Sequence, residues 1–295
     1  MTGKLIILGT PIGNLGDFSP RGVQTLKDAD FIAAEDTRVT RKLLNYFGIH
    51  KPLVSYFHYN ESHKTDILLK RILKGENCVI VSDAGMPTIS DPGENLICEC
   101  AKNNIRVEVV PGPSALIAAL AVSALPTGRF TFEGFLSTNK RVRNLHLEDL
   151  KDEKRTMIFY EAPHKLLKTI KSLFEALGDR RISISREITK IYEEVARITL
   201  KEALEKYKEK PPKGECVIVI EGKEDCDDLQ GTDVEDAIEI AKDLISKGNS
   251  MSKAAKLAAS KTNLLKNDIY RGLLKELGIR NSAGLLHKDS VFSAI

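Results

Sequence analysis

The first 124 residues alternate short apolar runs with longer stretches in which apolar side chains recur every three or four positions. Apolar runs closed by Gly, Pro, Asp or Ser predict buried strands, and the longer stretches predict amphipathic helices. The predicted strands are residues 4–9, 30–34, 53–57, 77–82 and 106–110, and the predicted helices are 19–28, 37–47, 61–74, 91–103 and 113–124. This alternation predicts a parallel or mixed sheet covered by helices.

Local signals at the ends of these segments refine the predicted helices. Ser19 followed by Pro20 has the order of an N-cap and a first helical residue, and Gly48 is placed to end a helix. Asp91 followed by Pro92 has the same order, so we predict another helix start there.

A second set of strands follows a break in the pattern at residues 125–128 (LPTG). The predicted strands are 130–135, 156–160, 181–187, 191–199 and 215–221, and the predicted helices are 140–150, 163–177 and 200–209. Apolar and polar residues alternate in 181–186 (RISISR), which predicts half-exposed antiparallel strands. We therefore place a domain boundary near residue 126.

The end of the chain has a different pattern from the rest. An acidic linker at 223–232 precedes three predicted helices, near 233–247, 250–260 and 266–277, joined by tight turns as in a helix-turn-helix. The segment from Asn249 to Arg280 contains seven basic and two acidic residues. These helices therefore either contact nucleic acid or form a solvated bundle that dimerises or packs on the preceding domains. The predicted domains are 1–125, 126–225 and 232–288.

The composition is that of a folded globular protein, with 42% hydrophobic and 29% charged residues and a net charge of +3 over 295 residues. No apolar stretch approaches transmembrane length, and the chain starts with a predicted strand rather than a signal peptide. The five Cys residues are scattered, without the spacing of a structural zinc site. We expect a cytoplasmic protein with reduced thiols, no metal and no membrane partner.

Three loops follow predicted strands of the first set and are crowded with Gly, Pro, Ser and Asp. They are residues 9–16 (GTPIGNLG), 82–93 (SDAGMPTISDPG) and 110–115 (VPGPSA). Open α/β sheets bind small molecules at the carboxyl ends of their strands. The three loops together therefore predict a ligand site.

The residues of these loops limit the kind of ligand. Gly9, Gly13 and Gly16 lack the spacing of a dinucleotide fingerprint, and the Walker pattern is missing. No Lys or Arg lies inside the loops to meet a polyphosphate. The ligand is thus expected to be neutral or zwitterionic, held by backbone groups, Asp83 and Ser114. Alternatively, Asp83 forms an Asx turn and Ser114 caps a helix.

Several longer motifs resemble one known family. They are residues 8–17 (LGTPIGNLGD), 34–38 (AEDTR), 82–87 (SDAGMP), 110–115 (VPGPSA), 132–136 (FEGFL), 159–164 (FYEAPH), 185–190 (SREITK) and 213–215 (KGE), with 254–256 and 266–270 in the tail. In this order they resemble the tetrapyrrole methylase superfamily and, within it, the ribosomal RNA small subunit methyltransferase I branch. The resemblance covers nearly the whole chain.

The resemblance implies two α/β domains with a cleft between them, plus a small C-terminal helical domain of helix-turn-helix type. It implies a homodimer that binds S-adenosylmethionine in the cleft. The implied activity is methylation of the 2′-hydroxyl of a cytidine in small-subunit (16S) ribosomal RNA near the decoding centre. The implied partner is that RNA or the assembled small ribosomal subunit.

The resemblance also implies roles for individual residues of the donor site. The expected donor-site residues are Pro11, Asp83, Met86, Ile89, Ser114, Ala115, Tyr160 and Gly214. Tyr160 has an alternative role as a core aromatic residue whose hydroxyl is satisfied inside the protein.

The acceptor hydroxyl is a weak acid, so a general base is expected to assist the transfer. The candidates are Glu187, Glu133 and Lys190, the last only if burial lowers its pKa. Alternatively, Glu187 and Lys190 belong to an ion-pair network with Arg186 and Glu193.

Exposed cations are the candidates for phosphate contacts, because most protein contacts to nucleic acid are made to the backbone. The expected RNA-binding residues are Arg38, Arg41, Lys140, Arg141, Lys253 and Lys256. Asp36 and Arg38 have an alternative role as a surface helix cap. His58 and His63, which lie beside aromatic residues, either stack on an unpaired base or belong to a partly buried loop.

Two other functions compete with ribosomal RNA methylation. The first is a methyltransferase of the same fold that acts on a tetrapyrrole or on a protein; the basic tail argues against it. The second is a non-catalytic nucleic-acid-binding protein that senses a metabolite. Turnover of the donor distinguishes this second function from both enzymes.

Overall fold

A computed structural model describes residues 2–209, 212, 214–223, 234–262 and 264–276 of the chain. The chain divides into two compact units, Met1–Lys223 and Glu224–Ile295. The first unit contains two sheets and the second contains helices. The predicted division of the first unit at residue 126 stays a prediction.

The first sheet has five strands: β1 (Leu5–Leu8), β2 (Phe31–Ala34), β3 (Leu53–Ser55), β4 (Cys78–Val81) and β5 (Val107–Val110). Their spatial order is β3-β2-β4-β1-β5, and every neighbouring pair is parallel. All five carboxyl ends therefore lie along one edge, where the three predicted ligand loops emerge.

Five helices belong to this half: α1 (Pro20–Asp28), α2 (Thr37–Tyr46), α3 (Glu61–Leu73), α4 (Glu94–Lys102) and α5 (Ala115–Val122). Separate cores pack on the two faces of the sheet, one around Leu8, Ile32 and Val79 and the other around Phe31 and Ile80. Burial on both faces explains why these strands are continuous apolar runs. The predicted strands and helices are confirmed, with small shifts at their ends.

The helix ends support two of the three predicted signals. Ser19 caps α1, because its Oγ accepts from the Gly22 amide at 3.0 Å, and Gly48 follows α2 with φ 65°. The predicted start at Asp91 and Pro92 is wrong, since α4 begins at Glu94 after Gly93. Gly93 has φ 137° and no room for a Cβ, which would lie 2.7 Å from Thr88 Cγ2. The chain therefore turns at Gly93 and leaves Asp91 in the loop.

The second sheet also has five strands: β6 (Phe130–Phe135), β7 (Thr156–Glu161), β8 (Arg181–Arg186), β9 (Glu194–Thr199) and β10 (Cys216–Ile220). Their order is β6-β7-β10-β8-β9; β6 and β7 are parallel and the other pairs are antiparallel. Three helices follow in this half: α6 (Lys140–Asp149), α7 (Leu166–Leu177) and α8 (Leu200–Glu209).

The predicted half-exposure of these strands is wrong for β8, although its antiparallel pairing is confirmed. Ile182 and Ile184 lie in the main core, and Ser183 and Ser185 are fully buried on the opposite face. That face includes Val219, the β10 partner of Ser183, and it packs against α5 from the first half. The polar positions of the alternating pattern therefore face a helix rather than water.

The second unit is a bundle of α9 (Val234–Ser246), α10 (Met251–Thr262) and α11 (Lys266–Glu276), which confirms the three predicted helices. Its core consists of alanines with three larger residues: Ala237, Ala241, Ala254, Ala255, Ala258, Ile238, Ile269 and Leu273. Small side chains allow the helix axes to approach closely, and Gly272 leaves room for Ile238. Within the described ranges, no helix has the length and apolar character to cross a membrane.

Candidate functional site

A cavity of about 390 Å³ lies inside the first unit, between the carboxyl edge of the first sheet and the second sheet. Loop 82–93 and the start of α5 form one side. The ends of β7 and β10 and the loop between β8 and β9 form the other. This volume is within the usual range for small-molecule sites.

Close backbone contacts hold the three predicted loops together. Thr10 and Gly85 exchange backbone hydrogen bonds of 2.8 and 3.1 Å, and the Gly9 amide donates to the Val110 carbonyl. A Cβ on Gly9 would lie 2.7 Å from Gly112 Cα and 2.6 Å from Met86 Sδ. Both glycines are therefore required for this contact. The predicted convergence of the three loops is confirmed.

Asp83 is held by groups from the loop after β2. Its Oδ1 accepts from the Asp36 amide at 3.0 Å, and its own amide donates to Glu35 Oε2 at 3.3 Å. The side chain therefore bridges two loops instead of forming the Asx turn considered above. Burial, followed by the nearby Glu35 charge, raises the pKa of the Asp83 carboxyl.

Asp91 lines the same cavity and was missed as a site residue. Burial and then the Glu35 charge raise the pKa of Asp91 to about 6, and a hydrogen bond from the Ser82 side chain opposes that rise. Glu35, Asp83 and Asp91 together form a carboxylate wall, the name used below for these three residues. The Asp–Pro dipeptide suggested a helix cap, and Gly93 just after it was the signal for a loop.

Ser114 and Tyr160 meet at the start of α5. Ser114 lies at the N-cap position, yet its side chain makes no capping hydrogen bond and it lines the cavity. The Tyr160 hydroxyl accepts from the Leu116 amide at 3.2 Å, and burial raises the pKa of this phenol. Tyr160 thus has a hydroxyl satisfied inside the protein and also lines the cavity.

Glu187 and Lys190 line the cavity from the second sheet and form an ion pair of 2.9 Å. Glu187 and Thr189 have left-handed φ values of 51° and 67°, an uncommon and strained conformation for such residues. Arg186 pairs with Glu194, and Glu193 accepts from the Thr189 amide. The ion-pair alternative is therefore present, with Glu194 as the partner of Arg186.

The remaining predicted donor and catalytic residues have different positions. Met86, Ile89 and Ala115 line the cavity, whereas Pro11 and Gly214 are not in its lining. Gly214 has φ 82° and leaves the space that the Glu187 carboxylate occupies. Glu133 lies outside the cavity lining and pairs with His146 Nε2 at 2.9 Å. Their predicted functions stay predictions.

The predicted RNA-binding residues are all exposed, and they are distributed over both units. Arg38 is 88% exposed and pairs with Asp36, which also caps α2 by accepting from the Arg38 amide. This pairing lowers the pKa of Asp36 to about 2. Arg41, Lys140 and Arg141 are exposed in the first unit, and Lys253 and Lys256 on α10 in the second. Their contacts with RNA stay predictions.

Metal coordination has no candidate among the residues that the structure describes, because no group of three or more His, Cys, Asp or Glu side chains is suitably placed. Cys78, Cys98, Cys100 and Cys216 are free thiols. Cys226 lies outside the described ranges.

A family model described as Tetrapyrrole (Corrin/Porphyrin) Methylases matches residues 4–204 of this chain. The chain is 45% identical over 272 residues to a ribosomal RNA small subunit methyltransferase I of a Synechocystis species, which covers 91% of this chain and 96% of that protein. It is 48% identical over 222 residues to the protein of the same name from Thermotoga maritima, covering 75% of this chain and all of that one.

Solved structures share the fold of the first unit at low sequence identity. Uroporphyrin-III C-methyltransferase from Thermus thermophilus, complexed with S-adenosyl homocysteine, aligns with a TM-score of 0.53 and 18% identity over 74% of this chain and 97% of that one. A diphthine synthase aligns with a TM-score of 0.56 and 15% identity over 74% of this chain and 89% of that one. At this level of identity the likeness describes the fold alone.

Proposed function

Because this chain belongs to the tetrapyrrole (corrin/porphyrin) methylases, in the ribosomal RNA small subunit methyltransferase I branch with S-adenosylmethionine as methyl donor, we propose that it methylates small-subunit ribosomal RNA. More specifically, the acceptor is the 2′-hydroxyl of a cytidine near the decoding centre, and the reaction takes place in the cytoplasm. One observation carries the proposal: relatives of that name match the chain over 91% of its length, including the tail.

The chemistry of the cavity supports a cationic donor. The donor supplies an electrophilic methyl group on a sulfonium, and it also carries an ammonium group. The carboxylate wall of Glu35, Asp83 and Asp91 offers the opposite charge in a partly desolvated place, where Coulomb attraction is stronger than in water. We assign Asp83, Met86, Ile89, Ser114, Ala115 and Tyr160 to the donor site, with Pro11 and Gly214 shaping its borders.

Positioning is the main task of such a site, since methyl transfer from a sulfonium is an in-line displacement. Hydrogen bonds among the three loops fix the donor side before any ligand binds. On the opposite side, the Glu187–Lys190 pair is held by a strained loop. The acceptor ribose enters between these two sides.

RNA contacts in this proposal come from exposed cations of both units, and the active form is a homodimer. Lys253 and Lys256 are exposed one turn apart on α10, so both reach the same side of that helix. Replacing both with Glu in the full chain lowers RNA affinity and reduces its salt dependence, while donor affinity is unchanged. The matched control replaces Lys27 and Lys74, exposed in the first unit, with Glu.

The deciding experiment incubates the protein with labelled S-adenosylmethionine and small ribosomal subunits from cells that lack this enzyme. We expect one labelled nucleotide, a cytidine whose label resists base removal because it is on the ribose. Subunits from cells that contain the enzyme are the control and take up no label. Label on a base, or on protein, contradicts the 2′-hydroxyl assignment. Sedimentation of the free protein tests the homodimer.

The same fold also occurs in a uroporphyrin methyltransferase and a diphthine synthase, so acceptors other than RNA form the second candidate function. Uroporphyrinogen or a modified histidine protein, offered in place of subunits, tests it directly. Donor turnover with one of these acceptors and not with subunits favours the second candidate. Binding of donor and RNA without any turnover favours the non-catalytic function.

A further inference from the structure

The segment between β8 and β9 forms two consecutive hydrogen-bonded turns, and residues 187–193 are termed the rim turn. The Lys190 amide donates to the Glu187 carbonyl at 2.9 Å, and the Glu193 amide donates to the Lys190 carbonyl at 3.1 Å. Glu187 and Lys190 line the cavity. Ile191 and Tyr192 are the two central residues of the second turn, whose ends lie within about 7 Å of each other. The tip of the rim turn therefore lies beside the cavity.

Both side chains at this tip are exposed. Ile191 is 94% exposed and Tyr192 is 76% exposed, so packing inside the unit does not account for either residue. Single exposed apolar residues are common on protein surfaces, but adjacent ones beside a cavity are typical of a surface that contacts a ligand or partner. Neither residue lines the cavity itself, which separates them from the donor side.

The rim turn is held from within and from the first sheet. The Glu193 carboxylate accepts from the Thr189 amide at 2.7 Å and so ties the second turn to the first. The Lys190 stem packs on the loop after β1, since a Cβ on Gly13 would lie 2.6 Å from Lys190 Cγ. A tip held in this way loses little conformational entropy when it binds a ligand.

The charges around the tip are compatible with an anionic ligand. Glu194 pairs with Arg186 at 2.6 Å and with Lys206 at 2.9 Å, so its carboxylate is compensated. Among the described residues that line the cavity, Lys190 is the single Lys or Arg. Its ammonium group has three donors, so it can contact a phosphate oxygen while it remains paired with Glu187.

An unpaired nucleotide combines the two features that this surface would recognise. Its base has a flat face that stacks on an aromatic ring, and its phosphate carries the charge that Lys190 attracts. The carboxylate wall occupies the first-sheet side of the cavity, so the RNA approaches from the side of the rim turn. Tyr192, two residues after Lys190, is then placed to meet a base next to the ribose that enters the cavity.

We propose that Tyr192 is a stacking platform for an unpaired base beside the acceptor ribose, and that this contact positions the ribose at the cavity. The inference rests on the proposed function and names the form in which the RNA is bound: a local single strand with at least one base turned out of its stack. Tyr192 is a positioning residue, because it touches the RNA and not the methyl group or the reacting oxygen.

The test measures methyl transfer by Tyr192→Ala at saturating labelled donor, with small ribosomal subunits from cells that lack the enzyme. We expect KM for subunits to rise about tenfold, the usual effect of losing one stacked base, while kcat falls less. The salt dependence of binding stays the same, because no phosphate contact is lost. Donor affinity from calorimetry is unchanged, which also shows that the variant is folded.

Further variants separate stacking from general apolar contact. Tyr192→Phe and Tyr192→Trp keep a ring and should have a KM close to that of the unchanged protein. Tyr192→Leu keeps apolar bulk without a ring and should resemble Tyr192→Ala. The matched control is Tyr46→Ala at the end of α2, since Tyr46 is 65% exposed and outside the cavity lining; its KM should not change.

A fluorescence measurement observes the stacking directly, because the chain contains no Trp. In Tyr192→Trp the new indole is the sole tryptophan, and we expect its emission to be quenched when fluorescently labelled oligocytidylate binds, with binding followed separately by anisotropy. In Tyr46→Trp the emission should stay constant during the same titration. Inorganic phosphate alone should quench neither variant.

Three outcomes would overturn the inference. An unchanged KM for both Tyr192→Ala and Tyr192→Leu removes Tyr192 from the RNA surface, as does bound oligocytidylate that leaves the Tyr192→Trp emission constant. Altered sedimentation of Tyr192→Ala without RNA makes the tip an interface between two copies of the chain instead. Failure of the proposed function looks different, because the unchanged protein then transfers no methyl group to the subunits.

Discussion

The two sheets of the first unit contribute to the cavity in different ways. All strands of the first sheet are parallel, so its carboxyl edge brings together Glu35, which follows β2, with Asp83 and Asp91, which both lie in the loop after the neighbouring strand β4. The second sheet is mostly antiparallel, and its loops alternate between two ends. It contributes the ends of β7 and β10 and one strained loop. The parallel sheet thus brings the acidic side chains together at one edge, whereas the antiparallel sheet mainly closes the opposite side of the cavity.

The largest effect is expected where the loops of the first sheet meet. Gly9→Ala forces a Cβ against the backbone of Gly112, which cannot move as a flexible side chain does, and overpacking of this kind costs about 3 kcal/mol. Gly128→Ala, in the connection between the sheets, meets no atom within 4 Å and is the control. Urea unfolding measures both. Equal stability of the two variants would contradict the close contact at Gly9.

Donor binding should depend more on the first sheet than on the second. Asp83→Ala removes a carboxylate from the wall, and loss of a charged hydrogen-bonding partner costs about 2 kcal/mol, or roughly thirtyfold in donor affinity. Calorimetry with S-adenosylmethionine measures this. Unchanged affinity would remove Asp83 from the donor site.

Tyr160→Phe is the corresponding change on the second sheet, and we expect a smaller effect. The ring contacts with Phe132 and Phe135 are kept, and only the hydrogen bond to the Leu116 amide is lost, about 1 kcal/mol of stability. Donor affinity falls less than in Asp83→Ala. A larger loss of affinity for Tyr160→Phe would reverse the comparison of the two sheets.

The smallest effect is expected in the interior of the second sheet. The Ser183 hydroxyl is buried without a hydrogen-bond partner among the described residues, so Ser183→Ala leaves the free energy of unfolding unchanged or raises it by about 1 kcal/mol. Thr169→Val is the contrasting variant, because the Thr169 hydroxyl donates to buried Glu161 at 2.5 Å. A clear loss of stability in Ser183→Ala would indicate a partner for that hydroxyl.

The contrast between the sheets also explains which features could be predicted from the sequence. Asp83 and Ser114 could be predicted as cavity residues, because each follows an apolar run that ends at the carboxyl edge of a parallel sheet. Asp91 was misassigned to a helix cap, since Asp–Pro fits a helix start and only the backbone conformation of Gly93 decides otherwise. The side chains of Thr88 and Ile80 occupy the space beside Gly93. The Asp–Pro dipeptide alone carries no information about these contacts.

The second sheet was harder to predict because its surroundings come from distant parts of the chain. The alternation at Ser183 and Ser185 gave the correct pairing and the wrong exposure, since α5 of the first half covers the serine face. Glu187 and Thr189 have left-handed φ values in the loop between β8 and β9, a conformation that is uncommon for their residue types. The burial of the serines depends on residues distant in sequence, and the loop conformation departs from the ordinary preference of its own residues.

The carboxylate wall has a consequence for the thermodynamics of donor binding. Because Asp91 titrates near pH 6 in the free protein and the pKa of Asp83 is also raised, the wall holds extra protons in mildly acidic solution. A bound cation favours the ionised carboxylates, so the complex carries fewer protons than the free protein. Binding therefore releases protons to the buffer, and affinity increases as the pH rises through about 6. The heat measured for the same binding event accordingly varies with the ionisation enthalpy of the buffer, which makes the donor-binding site a proton-coupled one.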